Sequence, residues 1–302
     1  MGCVDARVDC ARHRVIPVRE RAEAKINLSL EVIGLRADGY HDIVTIFQTV
    51  DLADSIKATP AESISLAVDD AELDTPSNLA TRAAKALRSA TRTSAGVRLA
   101  LAKRIPTAAG LGGGSADAAA TLRACARLWA VPLSRARDVA SDLGADVTFL
   151  IDGGTALGAG RGERLTPIVT PTAYAVIVSP AIRIESKTAR AYGSLRRDDF
   201  TSGERTHALA RELDVGNLTA LADAPNAFRR VASDIFPGID DVQRAFAASG
   251  APWTRLSGAG PSLFTVIADP EHAAAVGRRL TGRVRNATIF VARVTDRGTG
   301  VE

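Results

Sequence analysis

The sequence predicts an α+β protein of two domains, and three observations carry that prediction. The chain has 302 residues, 46% of them hydrophobic and 24% charged, enough to bury one or two cores and long enough to favour two domains. Its first half runs strand, strand, helix, strand, then a glycine-rich loop that enters a helix. Its last part runs in the order β-α-β-β-α-β, that of a split βαβ sandwich with extra helices inserted early. The boundary falls near Pro167, giving domains 23–167 and 168–302 behind an extension at 1–22.

The elements follow in chain order. Residues 1–22 carry Arg7, Arg12, Arg14, Arg19 and Arg21 without an apolar run, which is no secretory signal and predicts a flexible extension. Lys25 to Ile33 is the first clear strand. Ile26, Leu28, Leu30 and Val32 form its apolar face and Lys25, Asn27, Ser29 and Glu31 its polar one, the alternation of a half-buried strand. Arg36-Ala37-Asp38-Gly39 supplies a turn and Ile43 to Val50 returns, so Tyr40 and His41 stand at the mouth of a hairpin.

Asn78 to Ala90 reads as a helix with Leu79, Ala83, Ala86 and Leu87 on one stripe and Thr75 or Ser77 as its cap. Val97 to Lys103 is a strand feeding the glycine loop, and an alanine-rich helix then runs to about Trp129. Ser134 to Leu143 is a short helix stopped by Gly144, and it delivers Asp146 to the start of a predicted strand, Val147 to Ile151. A carboxylate there is partly desolvated and can be tuned as a proton acceptor, although a cap or turn role is the plainer alternative.

In the second domain, Ala173 to Ser179 is a strand, Glu185 to Leu195 is helical, and Arg196 to Arg205 is a charged loop. Asp240 to Ser249 is the clearest of the helices that follow. Two short strands, Trp253 to Leu256 and Ser262 to Ala268, flank Ser257-Gly258-Ala259-Gly260-Pro261; a helix at His272 to Leu280 and a strand at Ala287 to Val294 close the chain.

Composition excludes several classes. No apolar run approaches the roughly 18 to 20 residues of a membrane helix. Three cysteines, Cys3, Cys10 and Cys125, make neither a disulfide framework nor a metal site, and a reducing, cytoplasmic setting fits them. The net charge of +4 and pI near 9.2 come from scattered basic residues with only 4% aromatics, which argues against nucleic acid and for small anionic ligands. Monomer and homodimer both stay open. Lysine is rare, confined to Lys25, Lys57, Lys85, Lys103 and Lys187, and a compact ammonium can do at a reacting oxygen what a guanidinium cannot.

The loop Pro106-Thr107-Ala108-Ala109-Gly110-Leu111-Gly112-Gly113-Gly114-Ser115-Ala116 is the most informative stretch. Its glycines let a ligand approach the backbone, and the following helix aims free N–H groups and its positive dipole end at that space, which suits a phosphate. It is not a P-loop, since no lysine occurs between Lys103 and Lys187, and Ser115 stands where a dinucleotide fingerprint needs glycine. A glycine turn that merely caps a helix is the bland alternative.

Together, Pro106-x-x-x-Gly110-Leu111-Gly112-Gly113-Gly114-Ser115, the Lys25-x-Asn27-Leu28 strand and Ser257-Gly258-Ala259-Gly260 resemble the three motifs of the GHMP kinase superfamily. Arg36-Ala37-Asp38-Gly39-Tyr40-His41 and Leu143-Gly144-Ala145-Asp146-Val147 resemble the branch that phosphorylates a cytidine diphosphate-linked methylerythritol in non-mevalonate isoprenoid synthesis. The resemblance spans about Ala24 to Val294. It implies a first domain like domain 2 of ribosomal protein S5 and a ferredoxin-like second domain. It also implies ATP on Pro106 to Ala116, Ser115 near the phosphates and Mg²⁺, and Asn78 near the adenine. The residue matching Asp146 would be the base and the one matching Lys25 would hold hydroxyl and carboxylate. Asn27, Tyr40, His41 and Tyr192 would bind substrate, the tyrosines stacking on the cytosine. A homoserine or mevalonate kinase, or a silent ATP-binding homologue, stays open. Thr148 departs from the proline usual after the Asp-Val pair.

Overall fold

The computed structural model describes residues 16–296; Cys3, Cys10, Arg7, Arg12 and Arg14 lie outside them. β1 (Val18–Leu35) and β2 (His41–Ala61) pair antiparallel from Val18 opposite Ala58 to Leu35 opposite His41. β1 thus starts inside the stretch expected to be an extension, so 18–22 is a strand. What holds it is charge: buried Glu20 receives Arg123 at 3.1 Å and also Arg127, pairings that apolar periodicity does not register.

The first sheet continues with β3 (Ile64–Val68), then α1 (Leu79–Thr91), β4 (Gly96–Ala102), α2 (Gly113–Leu128), α3 (Leu133–Leu143), α4 (Ala145–Asp152), β5 (Thr155–Gly160) and β6 (Arg164–Ile168). Its order is β3-β4-β2-β5-β6, with β1 on β2 and only the β3–β4 pair parallel. β2 is the spine, pairing β5 with its first half and β4 with its second. α2 lies on β1 and β2, and its buried alanines Ala116, Ala118, Ala119, Ala120 and Ala124 allow that close approach.

The second sheet uses β7 (Tyr174–Pro180); α5 (Lys187–Gly193), α6 (Glu204–Asp214), α7 (Ala232–Ile235) and α8 (Ile239–Ser249) follow, then β8 (Arg255–Leu256), β9 (Leu263–Ile267), α9 (Pro270–Thr281) and β10 (Ala287–Arg293). Its antiparallel order β10-β7-β9-β8 is that of the expected split βαβ sandwich. One core runs through both lobes, joining Ile26, Phe47 and Phe149 to Ile177 and Phe264. No helix among the described residues is long and apolar enough to cross a membrane.

Three expectations are corrected. Residues 147–151 are helical, in α4, and not a strand; a short apolar run has no periodicity to separate strand from buried helix. Gly144, at φ 145°, ends α3, and its carbonyl at once accepts Thr148 N–H at 3.0 Å to open α4. The Thr148 hydroxyl also donates to that carbonyl, at 3.2 Å; proline could donate neither bond. The cap of α1 is Asn78, whose Oδ1 accepts Ala80 N–H at 2.9 Å, while Thr75 and Ser77 hydrogen-bond each other. β1 is not half-buried: its polar face is buried too, because the second lobe lies on it, with Leu30 exchanging backbone bonds with Pro225 and Ala227 and Glu31 accepting Thr206 N–H at 2.7 Å.

Candidate active site

The glycine loop is stitched on three sides. Ala109 carbonyl accepts Ser262 N–H at 3.1 Å, Gly110 carbonyl accepts the Ser257 hydroxyl at 2.9 Å, and Leu111 carbonyl accepts Lys25 N–H at 2.9 Å. The three motifs found separately in sequence therefore meet. Glycine is required where they do: a Cβ on Gly110, at φ 84°, would lie 2.5 Å from Ser257 carbonyl oxygen, and one on Gly112, at φ 72°, 2.9 Å from Lys25 Cγ. Gly112 caps α2, whose first residues Gly113, Gly114 and Ser115 line a cavity of about 400 Å³ between the lobes.

Lys25 and Asp146 face each other in that cavity. Lys25 is 5% exposed, and its Nζ donates to Asn27 Oδ1 at 2.7 Å and pairs with Asp146 Oδ2 at 3.3 Å. Asn27 Nδ2 in turn donates to Thr45 Oγ1 at 2.9 Å, and Thr45 to Ser29 carbonyl at 2.6 Å, so the ammonium is held by a buried relay on β1 and β2. Asp146 sits in the first turn of α4 with its carboxylate about one-third open to the cavity. The two-residue period puts Lys25 beside Asn27, and the break at Gly144 puts Asp146 within reach.

A second cavity of about 270 Å³ adjoins the first, sharing Leu79, Ala108, Gly113 and Gly114 with it and continuing over Pro106, Thr107 and Asn78. Asn78 is committed to structure as well as to the groove, since its Nδ2 donates to Leu73 carbonyl at 2.9 Å. Lys103 and Asp117 form the floor of this groove.

At the hairpin mouth, His41 packs on Tyr192 with ring centroids 4.8 Å apart, and Tyr192 meets Phe228 edge-on at 4.9 Å. Burial lowers the pKa of His41 below the ordinary imidazole value, and burial with the nearby Asp146 charge pushes Tyr192 up to about 12. Tyr40 does not join them. It is 55% exposed, and the Arg161 guanidinium covers its ring at 3.8 Å.

Sequence reasoning missed Arg161, Lys187, Thr188 and Phe228, all of which line the larger cavity. The scarcity of lysine was a signal for Lys187 alone; the others lie on turns and helices without a pattern of their own.

Residues 78–154 match the GHMP kinases N terminal domain and 207–286 the GHMP kinases C terminal domain. A 4-diphosphocytidyl-2-C-methyl-D-erythritol kinase of Dehalococcoides mccartyi is 40% identical over 256 residues, covering 83% of this chain and 90% of its own. This chain belongs to that kinase family. A relative of the same name from Leifsonia xyli subsp. xyli is 37% identical over 92% of this chain and 95% of its own. A crystal structure of a kinase of this family superposes with TM-score 0.76 at 33% identity, over 91% of this chain and 98% of that one. A homoserine kinase from Cytophaga hutchinsonii reaches the same TM-score, 0.76, at 20% identity, so backbone shape shows the fold and sequence the family.

Proposed function

We propose that this protein transfers the γ-phosphoryl group of ATP to the 2-hydroxyl of 4-diphosphocytidyl-2-C-methyl-D-erythritol, giving the 2-phosphate and ADP. The observation that carries the reading is the Lys25–Asp146 pair at 3.3 Å, turned into the cavity that the glycine loop lines. The triphosphate lies against the loop from Gly110 to Ser115, at the N-terminal end of α2, and the adenosine extends over Asn78 and Pro106. Asn27 and Lys25 receive the alcohol, and the cytidine end reaches the hairpin mouth, where His41 packs on Tyr192 and Tyr40 stands apart under Arg161.

Asp146 accepts the proton of the 2-hydroxyl as its oxygen attacks the γ-phosphorus; the bond from that phosphorus to the β,γ-bridging oxygen breaks, and the electron pair leaves with ADP. Lys25 orients the carboxylate and adds positive charge beside the moving group, while its relay through Asn27 and Thr45 keeps the ammonium from drifting. Of the oxygen donors lining the cavity, the Ser115 hydroxyl stands in the first turn of α2 and the Asp146 carboxylate across from it. That set fits Mg²⁺ brought in with the nucleotide, which Ser115 would help to hold. When bound, Mg²⁺ neutralises phosphate charge. Selectivity for cytosine comes from hydrogen bonds at His41 that another base leaves unmade, with stacking adding affinity. Coupled ADP release with the cytidyl-methylerythritol substrate, homoserine and mevalonate tests the assignment: turnover with the first alone is expected, and preference for either of the others overturns it.

A further inference from the structure

A second lysine faces the reacting centre from the other lobe. Lys187 opens α5 and lines the same cavity as Lys25, Asp146 and the loop from Gly110 to Ser115. Its Nζ donates to Gly260 carbonyl, the oxygen that a Cβ on Gly110 would approach to 2.8 Å, so the ammonium stands at the back of the phosphate loop. Asp146 pairs with Lys25, which leaves Lys187, among the described residues, a neutral carbonyl as its hydrogen-bond partner. A half-buried ammonium whose hydrogen bond goes to a carbonyl, with Asp146 shared with Lys25, is short of negative charge, and the cavity beside it can receive an anion.

We propose that Lys187 is a catalytic residue that leaves the Gly260 carbonyl to bind the phosphoryl group in transfer, on the opposite side from Lys25. This rests on the reading of the cleft as the meeting place of ATP and the alcohol. Its place at Gly110 and Gly260, rather than at the hairpin mouth, selects the transferred phosphate over the diphosphate of the cytidyl substrate. In a loose transition state, charge spreads over the equatorial oxygens, and two ammonium groups from different lobes meet more of it than one. Such a contact also makes the acceleration depend on a group from each lobe.

Burial, then the nearby Lys25 charge, push the Lys187 ammonium down to about 8, with Asp146 opposing them. The other charged or titratable groups lining the cavity are Arg161, on the turn between β5 and β6, and Tyr192, on α5 itself. Lys187 is charged below pH 8 and neutral above it, so its contribution in the free enzyme is lost as pH rises through that value.

The test compares wild type, Lys187→Ala and Lys187→Arg with ATP and the cytidyl-methylerythritol substrate. Lys187→Ala is expected to lower kcat at least about a hundredfold while KM for the cytidyl substrate changes less than about threefold. In wild type, kcat/KM for ATP is expected to fall above about pH 8, and Lys187→Arg, whose guanidinium stays charged, to lose that alkaline limb. Unchanged kcat in Lys187→Ala overturns the proposal, as does a raised KM for the cytidyl substrate with kcat intact, or an alkaline limb that persists in Lys187→Arg. Should the alanine variant fail to fold, the arginine variant decides through its pH profile. Wild-type protein that releases no ADP with the cytidyl substrate overturns the parent reading and this one together; active wild type with fully active Lys187→Ala overturns this one alone.

Discussion

Asp54 and Asp117 share a single cation. The Lys103 ammonium lies 2.5 Å from Asp54 Oδ2 and 2.7 Å from Asp117 Oδ2, while Asp54 Oδ1 accepts the N–H groups of Arg104 and Ile105 at the root of the glycine loop. Asp117 Oδ1 is buried without a hydrogen-bond partner. Burial pushes Asp117 up to about 7, Lys103 opposing the rise and Asp54 adding to it, because one ammonium cannot neutralise two carboxylates.

That arrangement predicts a pH effect on stability. A carboxyl whose folded pKa exceeds its unfolded value binds more protons in the native state, so between about pH 4 and 7 its contribution falls as pH rises. Thermal unfolding of Asp117→Asn is expected to gain on wild type across that window. A constant difference in Tm from pH 4 to 7 would count against it.

Asp146→Asn is expected to fold and to bind ATP, since the carboxylate takes no part in the loop or the core, yet to lose turnover by at least about a hundredfold. Calorimetric titration with ATP beside the ADP-release assay checks both halves, and near-wild-type turnover rejects the base assignment.

Tyr40→Ala is expected to raise KM for the cytidyl substrate about tenfold or more, the size of a lost base-on-ring contact, with KM for ATP unchanged. Steady-state kinetics in both substrates decide it. If ATP binding collapses instead, the two ends of the cleft have been assigned the wrong way round.

Gly110→Ala would set a methyl group 2.5 Å from Ser257 carbonyl oxygen at a residue whose φ is 84°. ATP affinity is expected to drop at least tenfold, a loss of about 1.4 kcal/mol, with a lower Tm. Affinity equal to wild type would mean that the loop does not touch the phosphates.

Much of this was legible in the sequence because local chemistry fixed it. The alternation from Lys25 to Ile33 marked a strand, and four glycines before an alanine run marked the loop and α2. The order of the last elements marked the second sheet. What escaped depends on partners distant in sequence. Val147 to Ile151 is helical because α2 covers it, and residues 18–22 pair because Glu20 finds Arg123 and Arg127. At the site, Lys25, Asn27 and Asp146 were readable from spacing and resemblance. Arg161 over Tyr40 was not, because a turn between β5 and β6 delivers it across space.

The carbonyls of Ala109, Gly110 and Leu111 are already engaged, by Ser262, Ser257 and Lys25 respectively. In a trans peptide the N–H points opposite its carbonyl, so each of these three bonds also fixes the direction of the following amide, that of Gly110, Leu111 or Gly112. The loop's peptide dipoles are thus set while the protein folds, and need not be reoriented when a ligand arrives.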